Sequence, residues 1–143
     1  MKQLIKNSFS ADTTQNNISI ALLLLRVTVG GMMLTHGLGK LTMLFGNDPI
    51  QFAVPIGIGL TASLALAVFA EVFCSFFLIF GVATQFSAIS LSITMFIAAF
   101  IVHSNDDFAV KEMALLYLLI YVVLTIVGAG KYSIDNWLSK KIA

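Results

Sequence analysis

Four long apolar runs, at about residues 18–41, 61–81, 84–103 and 112–129, set the pattern of the chain. Each comes close to the roughly 20 helical residues that cross a hydrocarbon layer of about 30 Å. The segments between them differ in kind. "GVATQ" at 81–85 is too short for anything but a tight turn, so the second and third helices form an antiparallel hairpin. The 42–60 connection, "TMLFGNDPIQFAVPIGIGL", is long and apolar, and Pro49, Pro55 and several glycines break it. The pattern predicts an all-α integral membrane four-helix bundle, with a partly re-entrant or interfacial segment between helices 1 and 2. A polar stretch at 1–17 precedes the four-span domain at 18–130, and a short tail at 131–143 follows it.

Composition agrees with this reading. Of 143 residues, 59% are hydrophobic and 10% charged, where a soluble domain carries about 25% charged. A net charge of +1 leaves no electrostatic footprint for nucleic acid. The stretch "MKQLIKNSFSADTTQNN" lacks the apolar core of a cleaved signal peptide, so the first span is expected to act as an uncleaved anchor. The single cysteine, Cys74, excludes an internal disulfide or a CxxC pair and reads as a buried packing residue. Lys2, Lys6, Lys131, Lys140 and Lys141 flank the bundle on the side of the termini. Lys40 and Lys111 on the other side are diluted by Asp48, Asp106 and Asp107. The positive-inside rule then places both termini in the cytoplasm.

Candidate chemistry lies in the few ionisable groups inside the spans. Arg26, Gly30, Met33, Gly37 and Lys40 share one stripe of the first helix, with His36 on its edge. Glycines admit a close neighbour, so the stripe is expected to face the bundle interior. Arg26, about 10 Å deep, needs a partner at that depth. Glu71, on a stripe with Ala67, Cys74, Ser75 and Leu78, is the expected one, either as a pair that fixes helix register or as a working carboxylate. At the outer end His36, Lys40, His103, Lys111 and Glu112 are expected to converge beneath the 42–60 segment. The bland alternatives are snorkelling for Lys40 and Lys111 and helix N-terminal complementation for Glu112. No HxxxH or cysteine spacing supports metal or haem ligation. Tyr117 and Tyr121 lie i, i+4 on a face of the fourth span away from Glu112, open to a packing or a quinone-stacking reading.

Arg26, then "HGLGK" closing span one, Glu71 before "FGVATQ", Glu112 opening span four and "GAGKYSID" at 128–135 together resemble the DoxX family of small four-helix membrane proteins. The resemblance runs from about residue 20 to 136. It implies a multi-pass protein of a prokaryotic plasma (inner) membrane, linked to quinone-coupled sulfur oxidation or to complexes that handle thiol and oxidative stress. The matching polar positions are Arg26, His36, Lys40, Glu71 and Glu112, with His103 a weaker match. One expectation is an oxidoreductase subunit in which Arg26, Lys40 and His103 bind a quinone or small anion and His36, Glu71 and Glu112 move protons. Its electrons would come from a redox partner protein, and a homo-oligomer is compatible with that role. The other is a non-catalytic assembly protein or small-solute transporter; no inverted repeat supports transport.

Overall fold

The computed structural model describes residues 14–142; Lys2 and Lys6, part of the orientation argument, lie outside the described residues. Four helices are long and apolar enough to cross a membrane: α1 Gln15–Phe45, α2 Leu60–Phe80, α3 Thr84–Val102 and α4 Phe108–Val127. A fifth, α5 Ile134–Ile142, is short and has no buried residue. The described chain is all-helical apart from turns and connections.

The helices pack in sequence order: α1 lies on α2, α2 on α3, and α3 on α4, which touches α1 lightly. Leu22, Val29, Met33, Cys74, Leu78, Leu91, Tyr121 and Leu124 form the centre of the core. Large side chains such as Leu24, Phe76, Phe100 and Ile126 are exposed around the outside. A soluble bundle would bury that much apolar surface; a lipid-facing one has no reason to.

The glycine stripe sets the spacing of α1 and α2. A Cβ added at Gly30 would lie 3.1 Å from the Ser75 carbonyl oxygen, and one at Gly37 would lie 2.9 Å from the Glu71 carbonyl oxygen. Gly31 and Gly39, on the other face of α1, have nothing within 4 Å. Only the inward glycines are therefore needed for close approach. They also fix the register, with Gly30 against Ser75 and Ile79 and Gly37 against Glu71 and Val72.

The second and third spans are not uniformly α-helical. Phe69–Cys74 in α2 and Ala98–Val102 at the end of α3 are π-helical turns. Such a turn fits an extra residue into the helix and shifts the direction in which its side chains project, a feature that concentrates at functional sites. Glu71 sits on the first, and His103 immediately follows the second.

The α2–α3 turn forms where the sequence places it. Gly81 adopts a left-handed conformation (φ 69°). Its amide donates to Leu78 O at 3.2 Å and that of Val82 to Phe77 O at 2.9 Å, which closes the end of α2. Asp135, at the start of α5, accepts from the Ala83 and Thr84 amides at 2.8 and 2.9 Å and so caps α3 from a distant part of the chain.

Candidate functional site

Inside the bundle Glu71 has almost no exposed surface (1%). A carboxylate there needs a compensating charge. Lys40 supplies it: its Nζ pairs with Glu71 Oε1. The lysine begins near the end of α1, yet its side chain turns inward, because helical side chains lean toward the N-terminus of their own helix. The other carboxylate oxygen, Glu71 Oε2, is buried and has no hydrogen-bond partner.

Beside this pair lies a cavity of about 580 Å³. Its walls come from α2 and α3, including both π turns, and its cover from Gln51, Phe52, Ala53, Pro55 and Ile56 of the connection after α1. Most of the lining is apolar; the polar exceptions include Lys40, Glu71, Ser63, Ser90, Thr94 and His103. Lys40 Nζ also lies 5.6 Å from the centre of the Phe52 ring, so the cover and the ion pair meet. Of the lining residues, Leu66, Phe69 and Ile93 are exposed, so the cavity opens out of the bundle beside apolar side chains.

Arg26 is not the partner of Glu71, contrary to the sequence expectation. It is completely buried at the other end of the bundle, where Nη1 donates to Leu78 O at 3.1 Å and Nη2 to Tyr132 O at 2.6 Å. The cause is register. Arg26 precedes Gly37, the residue level with Glu71, by eleven positions, about 16 Å along the helix. Its side chain leans further away still. Gly81 has to be glycine at this point, since a Cβ there would collide with the Arg26 guanidinium. The neighbouring loop closes over α1, with Lys131 N donating to Ser19 Oγ at 3.4 Å and Tyr132 Oη to Asn16 Oδ1 at 2.9 Å.

Nor do the expected outer groups form one cluster. Lys40 and His103 share the cavity with Glu71. His36 does not line it: it is exposed, and its ring meets Tyr117 edge-on at 6.1 Å on the α1–α4 side. Glu112 is exposed on α4, and Lys111 donates to Ser104 O at 2.7 Å; neither reaches the cavity. His103 Nδ1 lies 2.6 Å from Asp106 Oδ2, so it too has an acidic partner. Lys40 does not snorkel outward. Among the described residues no three His, Cys, Asp or Glu side chains gather around a metal position.

A family model described as DoxX matches residues 21–104, which takes in Arg26, Lys40, Glu71, His103 and the whole cavity wall. The chain belongs to the DoxX family. Two proteins of Haemophilus influenzae, both described as uncharacterized, are similar to this DoxX chain. One is 35% identical over 79 residues, 52% of each chain, so that match spans about half the relative's length. The other is 33% identical over 124 residues, 82% of this chain and 90% of the relative. No solved structure matches.

Two buried hydroxyls were not resolved by sequence reasoning. Tyr121, open there to packing or quinone stacking, is fully buried and stacks on Tyr117 at 5.9 Å, outside the cavity lining, and its hydroxyl has no partner. Its signal was a tyrosine in mid-span, where an unsatisfied hydroxyl is costly. Ser63, also buried and unpartnered, lines the cavity two helical turns before Glu71; nothing in its local sequence marked it.

Proposed function

We propose that this DoxX-family protein is the membrane subunit of a quinone-linked oxidoreductase in sulfur, thiol or oxidative-stress metabolism, seated in a prokaryotic inner membrane with both termini cytoplasmic. The observation that carries the proposal is the ion pair of partly exposed Lys40 with buried Glu71, both of which line a largely apolar cavity that opens out of the bundle. An amphiphile with a polar head and an apolar body suits that combination. The fit to a quinone is a matter of chemistry. The Lys40 ammonium can donate to a carbonyl oxygen, Glu71 can take up or release a proton, and Phe52, Ile93 and Ile97 offer apolar walls. A bound quinone would supply two-electron redox capacity; the electrons would pass to or from a partner protein. His103, held by Asp106 at the cavity edge, links the site to the end of the bundle bearing the α1–α2 connection. His36, Glu112 and Arg26 have no part in binding at this cavity; Arg26 organises the opposite end.

The test is a photoreactive quinone added to the purified protein in lipid nanodiscs, followed by mapping of the modified peptides. Labelling of the cover at 51–56 and of α3 near Ile97, displaced by unlabelled quinone, is expected. Labelling spread over the lipid-facing surface, undiminished by competitor, would overturn the proposal.

A further inference from the structure

The last described helix has an apolar side that the bundle does not use. α5, Ile134–Ile142, reads IDNWLSKKI and buries no residue. On a helical projection Ile134, Trp137, Leu138, Lys141 and Ile142 fall on one arc, and Asp135, Asn136, Ser139 and Lys140 on the remainder. The four apolar side chains are all exposed, Trp137 by 54% and Ile142 by 84%. Bonds back to the protein come from the polar side. Asp135 accepts from the Ala83 and Thr84 amides, and Asn136 Nδ2 donates to Lys131 O at 2.7 Å. The Asp135 amide also donates to Gly81 O at 2.9 Å. These bonds hold the start of α5 level with the α2–α3 turn, where the apolar spans end. Only residues 128–133 separate it from the end of α4. The helix therefore starts where hydrocarbon gives way to water, and among the described residues nothing buries its apolar arc.

Charge selects the occupant. Lys131, Lys140 and Lys141 are exposed, while Asp135, the one acid of the segment, is occupied by two amides. Lys141 stands within the apolar arc itself, its Nζ 3.9 Å from the centre of the Trp137 ring. A dry protein groove closing on that arc would bury the ammonium without a partner. At a lipid surface the indole sits at headgroup level and the lysine stem rises beside it to the phosphates. We propose that α5 is an interfacial anchor lying along the headgroup layer. Ile134, Trp137, Leu138 and Ile142 dip into the acyl boundary, and Lys140 and Lys141 meet anionic phospholipid headgroups. The assignment is independent of what the cavity binds.

Trp137 is the single tryptophan of the chain, so its fluorescence reports α5 directly. The full chain is placed in nanodiscs of phosphatidylcholine and phosphatidylglycerol in equal amounts, with one or the other lipid brominated on its acyl chains. Bromolipid should quench Trp137, and acrylamide in the water should quench it little. Brominated phosphatidylglycerol should quench more than brominated phosphatidylcholine. Each lysine at an anionic surface corresponds to about fivefold in affinity. Lys140→Gln/Lys141→Gln should therefore lose most of that preference while both bromolipids still quench. No response to bromolipid would overturn the anchor and leave the apolar arc to a protein partner or a second copy. Equal quenching by the two bromolipids in the unaltered protein would overturn the anionic assignment.

Discussion

Gly37 is where α1 comes nearest the backbone that carries Glu71, and Gly37→Ala tests whether this contact sets the geometry of the site. The new Cβ would stand 2.9 Å from both the carbonyl carbon and oxygen of Glu71 and 2.8 Å from Val72 Cγ2, where ordinary contact starts at 3.4 Å. Val72 can rotate away, but the Glu71 carbonyl belongs to a helix and cannot. The two helices must part locally by about 0.5 Å, and overpacking of this kind costs about 1–3 kcal/mol. Gly31→Ala is the internal control. It makes the same chemical change on the same helix, six positions away, with nothing within 4 Å. It should be neutral, or slightly stabilising through helix propensity. The single cysteine supplies the assay. Cys74 has no exposed surface, so a thiol-reactive fluorophore reports its exposure as the protein is heated in detergent. The expected result is a midpoint lowered by several degrees for Gly37→Ala and unmoved for Gly31→Ala. Equal midpoints would refute the claim that glycine is required for the α1–α2 contact. Because the strain falls on the peptide of Glu71, the alanine variant should also bind a quinone more weakly than the control.

Further outcomes follow from the same contacts. Lys40→Met should destabilise the protein by about 3–5 kcal/mol by leaving a buried carboxylate unpaired, and Glu71→Gln by less, because Lys40 is partly exposed; the double variant should recover much of the loss. In contrast, Arg26→Met and Glu71→Gln should be additive to within about 0.5 kcal/mol, and strong coupling in that cycle would contradict the observed register. Asp135→Ala removes the acceptor of two amides at the start of α3 and should cost about 0.5–2 kcal/mol, with faster hydrogen exchange confined to Ala83 and Thr84. Cysteines introduced at Asp48 and Lys131 should react with an impermeant maleimide from opposite faces of sealed vesicles; labelling from one face would overturn the four-span topology.

The fold was legible because its signals are additive along the chain. Each span needs only a sustained apolar run, and the α2–α3 turn needs only Gly81 and a short gap. The inward stripe of α1 was legible too, from the spacing of Gly30 and Gly37. Pairing was not, because it depends on relative depth, which hydropathy does not encode. Counting from the ends of the runs put Arg26 and Glu71 within a turn of each other, whereas the first turns of α1 lie beyond the end of α2, against the 130–132 loop. The lean of helical side chains toward the N-terminus then sends Lys40 to Glu71 and Arg26 away from it. The outer cluster failed for a related reason: α1 runs on to Phe45, so His36 lies beside Gly37, level with Glu71, and meets Tyr117 of α4, whereas His103 follows the end of α3. The π turns left no mark in the sequence pattern.

The embrace of Arg26 has a consequence for biosynthesis. Its two carbonyl partners are 52 and 106 residues further along the chain, and the amides capped by Asp135 precede that cap by about 50. Residues leave the ribosome in order, so a nascent chain with three helices made holds the arginine by Leu78 alone and leaves the start of α3 open. The bundle is locked only when Tyr132 and Asp135 emerge, after α4, to close over that end. A chain stalled or cut before them would carry a half-satisfied guanidinium near the membrane surface, a defect that a membrane protease could use to tell unfinished copies from finished ones.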